Sequence, residues 1–366
     1  MIKKVSITNF KSHAHTEIEL GKVTALVGPN GSGKSTVLQT IYALNQLIHR
    51  ITKQGSWNWE VLNTLVRKRQ YEWSVCIASD NPDWQIKAEK PLVSIPKIVW
   101  TLNQAILEDN DVSGQQAIAE SFGQSVYFKG IANHLSSPSS TLNIPPRLSQ
   151  DGSGLASVLA DLMTSDRRRH QQIEKALCDI VPTVKEVNAQ TVNVKLKEKK
   201  VFSFNGAQFP IEDEHDVPGK ELIFNTASGD RISASAMSDG TLLTLGLLTI
   251  LYSSQDDTQL FLLDDIEQGL HPLAQRQLMT TLKEFAENHG KQIILTSHSP
   301  YIVDELDAKD VWVMATNQEG ISHCKRLSDH PDATRLLEVL TTGELEGAVG
   351  EDWVLPNKAL AEEVNA

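Results

Sequence analysis

The stretch GPNGSGKST, residues 28–36, constrains this chain more than any other. It follows VTALV, an apolar and β-prone run at residues 23–27, and leads into VLQTIYAL, whose spacing predicts a helix. The pattern GxxxxGK[ST] is met by Gly28, Gly33, Lys34 and Ser35. Glycines let backbone N–H groups turn inward around a phosphate, and the helix N-terminus adds partial positive charge. Lys34 can reach the terminal phosphates and the Ser35 hydroxyl can ligate Mg²⁺. Asn30, Gly31, Ser32, Gly33, Lys34, Ser35 and Thr36 are therefore the candidate nucleotide-binding residues. A strand before and a helix after argue against an ordinary glycine-rich turn.

Three further pieces follow in order. In SDGTLLTLGLLTIL, Ser238, Asp239 and Gly240 precede an apolar stretch long enough for a buried helix; a serine there is an N-cap and can also present a hydroxyl to an anion. In QLFLLDDIEQGLHP, an apolar strand ends in Asp264 and Asp265, at the edge where parallel α/β sheets bind ligands. In KQIILTSHSPYIVDEL, another apolar strand ends at Thr296, Ser297 and His298. A histidine at a strand terminus is usually a bland surface or core residue, but its place after two phosphate-type strand ends marks it as a candidate.

Length and composition set the frame. With 366 residues and 40% hydrophobic content, a packed core is available. The apolar runs are too short to span a membrane, and MIKKVSITNF does not read as a signal peptide, so a cytoplasmic protein without a membrane partner is expected. Cys76, Cys178 and Cys324 are scattered, which argues against a zinc site or a disulfide framework. A formal net charge of -12 opposes a wholly electrostatic grip on nucleic acid. Arg67 to Arg69, Arg167 to Arg169 and KLKEKK at 195–200 are the local basic runs, and such runs are usually solvated faces.

Taken together and in order, these motifs resemble the ABC-type ATPases of the SMC, Rad50 and RecF kind, and more narrowly the short prokaryotic AAA-family ATPases with an SDGT signature. The opening IKKVSITNFKSH and the segment DGSGLASVLADLM are similar to that family too. The resemblance implies an α/β P-loop NTPase head with a mixed N-terminal sheet, a parallel core sheet, a helical lobe and no long coiled coil. It implies ATP and Mg²⁺ as cofactors, with Lys34 and Ser35 on phosphate and metal and Asp264 supporting the metal from the Walker B strand. Ser238, Asp239 and Gly240 would act in trans on the ATP of a second subunit, His298 would be the switch histidine, and Lys11 would contact the nucleotide from the opening turn. No Q-loop glutamine is assigned. The position after the Walker B aspartate is typically Glu in this family; here it is Asp265, one methylene shorter, which is expected to polarise the water slowly. Glu267 is its rival, disfavoured because the chain must turn there into a D-loop-like segment at 268–271.

The rest of the chain is divided on pattern. Residues 1–90 are expected to form the ATP-binding lobe, 91–183 a helical insertion or lid, and 184–235 alternating strands that rejoin the N-terminal sheet. Residues 236–330 are read as a lobe with signature, Walker B and switch histidine, and 331–366 as a tail that packs on the body or docks a partner. Turns are expected at Asn205-Gly206 and at 228–230, a loop at 135–154, and a helix over 166–181 with Ser165 as N-cap candidate. The spread tryptophans 57, 59, 73, 84 and 100 read as core or lid packing.

The expected machine is an ATPase that dimerises around two ATP molecules. The resemblance suggests a sensor or regulator of a separate effector, such as a TOPRIM or HNH nuclease, in bacterial antiphage defence, with DNA or RNA as a further candidate partner. The alternative is a RecF-like DNA-binding ATPase of repair or recombination. A transporter ATPase subunit is opposed by the SDGT signature, the NFKSH opening and the missing Q-loop.

Overall fold

The structure is a computed structural model that describes residues 1–54, 72–90, 96–108, 110–204 and 207–356, with the side chains of 54 and 197–213 excepted. Trp57, Trp59, the basic run at 67–69 and the turn at 205–206 lie outside the described residues. The chain divides into two compact units.

The first unit comprises Met1–Tyr127, Gln255–Glu267 and Leu278–Ala366. Its N-terminal strands are β1 (Lys4–Phe10), β2 (His13–Glu19), β3 (Val23–Val27), β4 (Trp73–Asp80), β5 (Asp83–Lys90), β6 (Lys97–Leu102), β7 (Ala105–Ile106) and β8 (Gln124–Phe128). In the second unit lie β9 (Ser139–Ser140), β10 (Val184–Phe204), β11 (Ala207–Thr226) and β12 (Arg231–Ser233). The first unit is completed by β13 (Thr258–Leu263), β14 (Gln292–Ser297), β15 (Val311–Thr316) and β16 (Ser322–Arg326).

Twelve strands form one sheet in the order β7-β6-β5-β4-β1-β2-β16-β15-β3-β14-β13-β8. The antiparallel N-terminal strands and the parallel core expected from sequence are thus one continuous surface, joined where β16 runs parallel to β2 at Ser322 and His13. All residues of β3 and β14 are buried, as strands covered on both faces must be. The helix Lys34–Gln54 buries Val37, Leu38, Ile41, Leu44, Ile48 and Ile51, the repeat of one helical face. Trp73, Trp84 and Trp100 are buried in the same core, as expected. Register does the rest: Val27 pairs with Ser297 and Leu263 with Leu295, so the residues that follow β3, β13 and β14 emerge at one sheet edge.

The second unit, Phe128–Ser254 with Gln268–Gln277, has its own sheet. Strands β10 and β11 form a long hairpin whose register runs from Val184 opposite Thr226 to Phe204 opposite Ala207. This corrects the expectation that 184–235 rejoin the N-terminal strands: alternation identifies a strand but not its partner, and the partner here is the adjacent segment. The helix Arg167–Ile180 buries Ile173, Ala176, Leu177 and Ile180 as expected, but its N-cap is Asp166, whose carboxylate accepts from the Arg169 N–H, and not Ser165. Ser165 instead ends the preceding helix, Leu155–Ser165. The apolar helix Asp239–Ser253 packs against Arg167–Ile180.

Two boundaries move accordingly. The region 91–183 is not a helical insertion, because β6, β7 and β8 belong to the large sheet; KIVWTL alternates with the period of a strand. The expected lobe at 236–330 is divided, with the signature helix in the second unit and β13 and β14 in the first. A helix apolar all round must pack among other elements, whereas buried strands join a parallel sheet. In the tail, the helix Thr342–Val349 carries a capping box from Thr341 and Glu344, and packs on Pro300–Val303 through a bond from the Gly343 N–H to Asp304 Oδ1. Arg169 and Lys195, members of two basic runs, sit in exposed ion pairs with Asp166 and Glu214. Among the described residues no helix is long and apolar enough to cross a membrane.

Candidate active site

The phosphate loop leaves β3 through Gly28, whose positive φ and contact with the Met314 backbone exclude any side chain. Gly33 is hemmed in as well: a Cβ there would lie 2.6 Å from Ser322 Oγ and 2.7 Å from His13 Nε2. The Gly33 carbonyl accepts from the N–H groups of Thr36 and Val37, which starts the helix Lys34–Gln54 directly below the loop. First-turn N–H groups have no intrahelical partner, so this start faces the loop with donors. Lys34 Nζ donates to the carbonyls of Gly28 at 2.8 Å and Pro29 at 2.9 Å, and is thereby held across the loop. The Ser32 hydroxyl is buried with no hydrogen-bond partner among the described residues. Asn30 and Gly31 are exposed at the loop's tip.

Beneath the loop lies a residue that sequence reasoning missed. His13 is fully buried; its Nε2 meets the Gly33 carbonyl at 3.2 Å and its Nδ1 meets Thr16 Oγ1 at 2.9 Å. This geometry suits the tautomer with Nε2–H as donor and Nδ1 as acceptor from the Thr16 hydroxyl. Burial pushes the imidazole pKa down to about 4, so the ring is neutral at pH 7. It lies in the NFKSH stretch, but a histidine at the first position of a strand carries no periodic signal of its own. Lys11, expected at the nucleotide, adopts a left-handed backbone and donates to Gln39 Oε1 at 2.9 Å; desolvation lowers its pKa.

Asp264 follows β13 and is almost fully buried. Ser35 Oγ donates to its Oδ1 at 2.9 Å, Thr296 Oγ1 donates to the same oxygen at 2.7 Å, and Tyr127 O–H donates to Oδ2 at 2.9 Å. Hydroxyls from the helix after the loop, from β14 and from β8 thus converge on one carboxylate. The Thr296 hydroxyl also accepts from the Asp265 N–H at 2.8 Å, which ties both aspartates to β14. Asp265 is half-buried with a φ of 56°, a left-handed conformation that Asp tolerates better than most residues. Tyr127 and Thr296 had no assigned role in the sequence reading; each needs a neighbouring strand to reach Asp264.

The donor set suits a hard cation. Ser35 Oγ and Asp264 Oδ1 are adjacent oxygens at a sheet edge, and Mg²⁺ is commonly held by one carboxylate and one hydroxyl with phosphate oxygens and water. His298, exposed at the end of β14, completes the edge, and its backbone N–H donates to Glu267 Oε1 at 2.8 Å. The phosphate loop, Lys11, Asp264, Asp265 and His298 therefore all lie in the first unit.

The signature residues lie in the second. Ser238 N-caps the helix Asp239–Ser253, its Oγ 2.8 Å from Thr241 Oγ1. Gly240 abuts the backbone of Gly269, so closely that a Cβ would meet the Gly269 carbonyl.

Two family models match this chain: "AAA ATPase domain" over residues 1–129, and "AAA domain, putative AbiEii toxin, Type IV TA system" over residues 143–304. The DNA double-strand break repair Rad50 ATPase of Methanopyrus kandleri is 55% identical over 42 residues, 11% of this chain and 5% of that protein. The OLD nuclease of Thermus scotoductus is 44% identical over 41 residues, 11% of this chain and 8% of that protein. The matched stretches are thus a small part of either relative's length. Among solved structures, an Smc head bound to the C-winged helix domain of ScpA superposes with a TM-score of 0.56 at 14% identity, covering 92% of this chain and 99% of that one. At that identity the likeness is one of fold. Two matched ATPase domain models, together with a phosphate loop hydrogen-bonded to Asp264, make this chain an ATPase, and its fold is that of an SMC head.

Proposed function

We propose that the chain binds and hydrolyses ATP with Mg²⁺ as a cytoplasmic homodimer, and that it acts as sensor or regulator of a separate nuclease in bacterial antiphage defence. The observation that carries the nucleotide reading is the bond from Ser35 Oγ to Asp264 Oδ1, which brings the phosphate loop and the Walker B strand to one oxygen pair. Bound Mg²⁺ would supply positive charge to the β- and γ-phosphate oxygens. Lys34 would add a second charge, the loop N–H groups would orient the phosphates, Asp265 would take the proton of the attacking water, and His298 would orient the γ-phosphate. Lys11 would approach from the opening turn. Ser238, Asp239 and Gly240 would meet the ATP of the second subunit, so that ATP favours the closed dimer and hydrolysis loosens it.

Phosphate release by the purified protein tests the activity. Release that depends on Mg²⁺ and disappears in Lys34→Ala is expected, and its absence from the wild type overturns hydrolysis. Light scattering tests the dimer: Ser238→Arg should keep ATP binding while abolishing ATP-dependent dimerisation, and unchanged dimerisation would sink the composite site.

For the biological role, support comes from the OLD nuclease match and from the toxin–antitoxin wording of one family model. The Rad50 match favours a second reading, a RecF-like ATPase acting on DNA in repair. A tagged pull-down of Asp265→Asn, with and without ATP, separates them. Recovery of a TOPRIM, HNH or other nuclease supports the first reading, and recovery of DNA alone the second.

A further inference from the structure

Glu267 lies beyond both aspartates, where the sequence reading set it aside as a rival water-activating base. Its side chain does something else. Oε1 accepts the backbone N–H of His298 at 2.8 Å, a bond between the loop after β13 and the loop after β14. Oε2 is buried and has no hydrogen-bond partner among the described residues. A general base must lie within hydrogen-bond reach of the water it deprotonates, and here one oxygen is committed to a backbone amide while the other is shielded from solvent.

Meanwhile His298 needs an anchor. Its own side chain is exposed, the strand's ladder to β3 ends at Ser297, and Ser299 begins the next short helix by capping Tyr301 N–H. Ser297 Oγ accepts from the Ser299 N–H. The amide of His298, between these fixed points, is held by Glu267. A charge-assisted bond of this kind is stronger than a neutral one and fixes where the imidazole leaves the backbone.

We propose that Glu267 is a positioning residue for His298: its carboxylate locks the backbone of the switch histidine and takes no proton itself. This rests on the proposed ATPase role of His298, and it changes what substitutions at Glu267 should do. Gln keeps the chain length and an acceptor oxygen but loses the charge. Asp keeps the charge but is one methylene short of the His298 N–H.

The test compares Glu267→Gln with Glu267→Asp in two measurements on the full chain. In steady-state ATP hydrolysis, Glu267→Gln should stay within about threefold of wild type. Glu267→Asp should lose roughly tenfold to a hundredfold in kcat with little change in KM, the size expected when a catalytic group is misplaced by about an ångström. A base would show the reverse order, with Gln inactive and Asp partly active, and that result overturns the proposal. Hydrogen exchange of the peptide spanning 297–301 reads the lock without turnover, so it stands even if the wild type fails to hydrolyse ATP. Protection should persist in Glu267→Gln and drop in Glu267→Asp; equal protection in wild type and Glu267→Asp overturns the proposal as well.

Discussion

Ser35 Oγ and Asp264 Oδ1 are separated by 229 positions in sequence and by 2.9 Å in space. The contact follows from register, since β3, β14 and β13 are adjacent and parallel and each ends at the same edge. Asp264 is therefore held by the hydroxyls of Ser35, Thr296 and Tyr127, and a carboxylate fixed in this way costs little reorganisation when charge develops beside it.

Asp264→Asn should abolish most of the proposed ATP hydrolysis. The amide can accept on one side only, so of the hydroxyls of Ser35, Thr296 and Tyr127 at least one loses its acceptor, and the negative charge expected to hold Mg²⁺ is gone. Phosphate release should fall roughly a hundredfold or more. Activity within a factor of three of wild type would show that the metal is held elsewhere.

Thr296→Val keeps the side-chain shape and removes the bonds made by one hydroxyl: the donation to Asp264, a longer contact of 3.4 Å with Asp265 Oδ1, and the acceptance from the Asp265 N–H. Taking that acceptor from the Asp265 N–H, and one of two hydroxyl donors from Asp264 Oδ1, should cost about 1–3 kcal/mol in urea denaturation. Hydrolysis should fall too, because Asp265 loses the bond that fixes its left-handed backbone. Thr296→Ser retains the hydroxyl and should recover most of both properties.

The sequence was most informative where chemistry is local. The phosphate loop is a contiguous motif flanked by clear strand and helix patterns, and Asp264 and Asp265 end an apolar run, so both could be placed without knowing the sheet order. Tyr127 and Thr296 could not be read, because their partner is reached only across neighbouring strands. The hairpin β10–β11 shows the same limit: its alternation and the Asn-Gly dipeptide were plain, but nothing in them showed that the two strands belong to a sheet other than that of β1 and β4. Ser165 and Asp166 were equally good capping residues by type, and only geometry decided between them.

His13 makes stability depend on mildly acidic pH. Its folded pKa of about 4 lies below the value of 6.5 for the unfolded chain, so the unfolded state binds the extra proton between those values. The neutral buried ring contributes its full stabilisation above pH 6.5, and that contribution is lost as pH falls from 6.5 towards 4. The total is about 3 kcal/mol. Denaturant unfolding at pH 7 and pH 5 should show a smaller decrease for His13→Gln than for the wild type, by roughly 2 kcal/mol. Equal decreases would mean that the ring is already protonated or solvated in the folded state.

Gly240 has a structural duty beside its place in the SDGT segment. The backbone of Gly269 passes so close that Gly240→Ala must displace either the start of the helix Asp239–Ser253 or the loop carrying Gly269. Overpacking of this sort costs about 1–3 kcal/mol, and the neighbour here is backbone, which cannot swing aside as a flexible side chain would. Gly240→Ala should therefore lower the unfolding midpoint in the absence of nucleotide. Ser238→Ala removes only the capping hydroxyl and should cost about 1 kcal/mol. If both variants then fail to form the ATP-dependent dimer, Ser238→Ala carries the inference for direct contact with nucleotide, since the loss in Gly240→Ala is explained by the displaced backbone. A Gly240→Ala protein as stable as the wild type would show that the segment at 268–271 moves away from the helix start in solution.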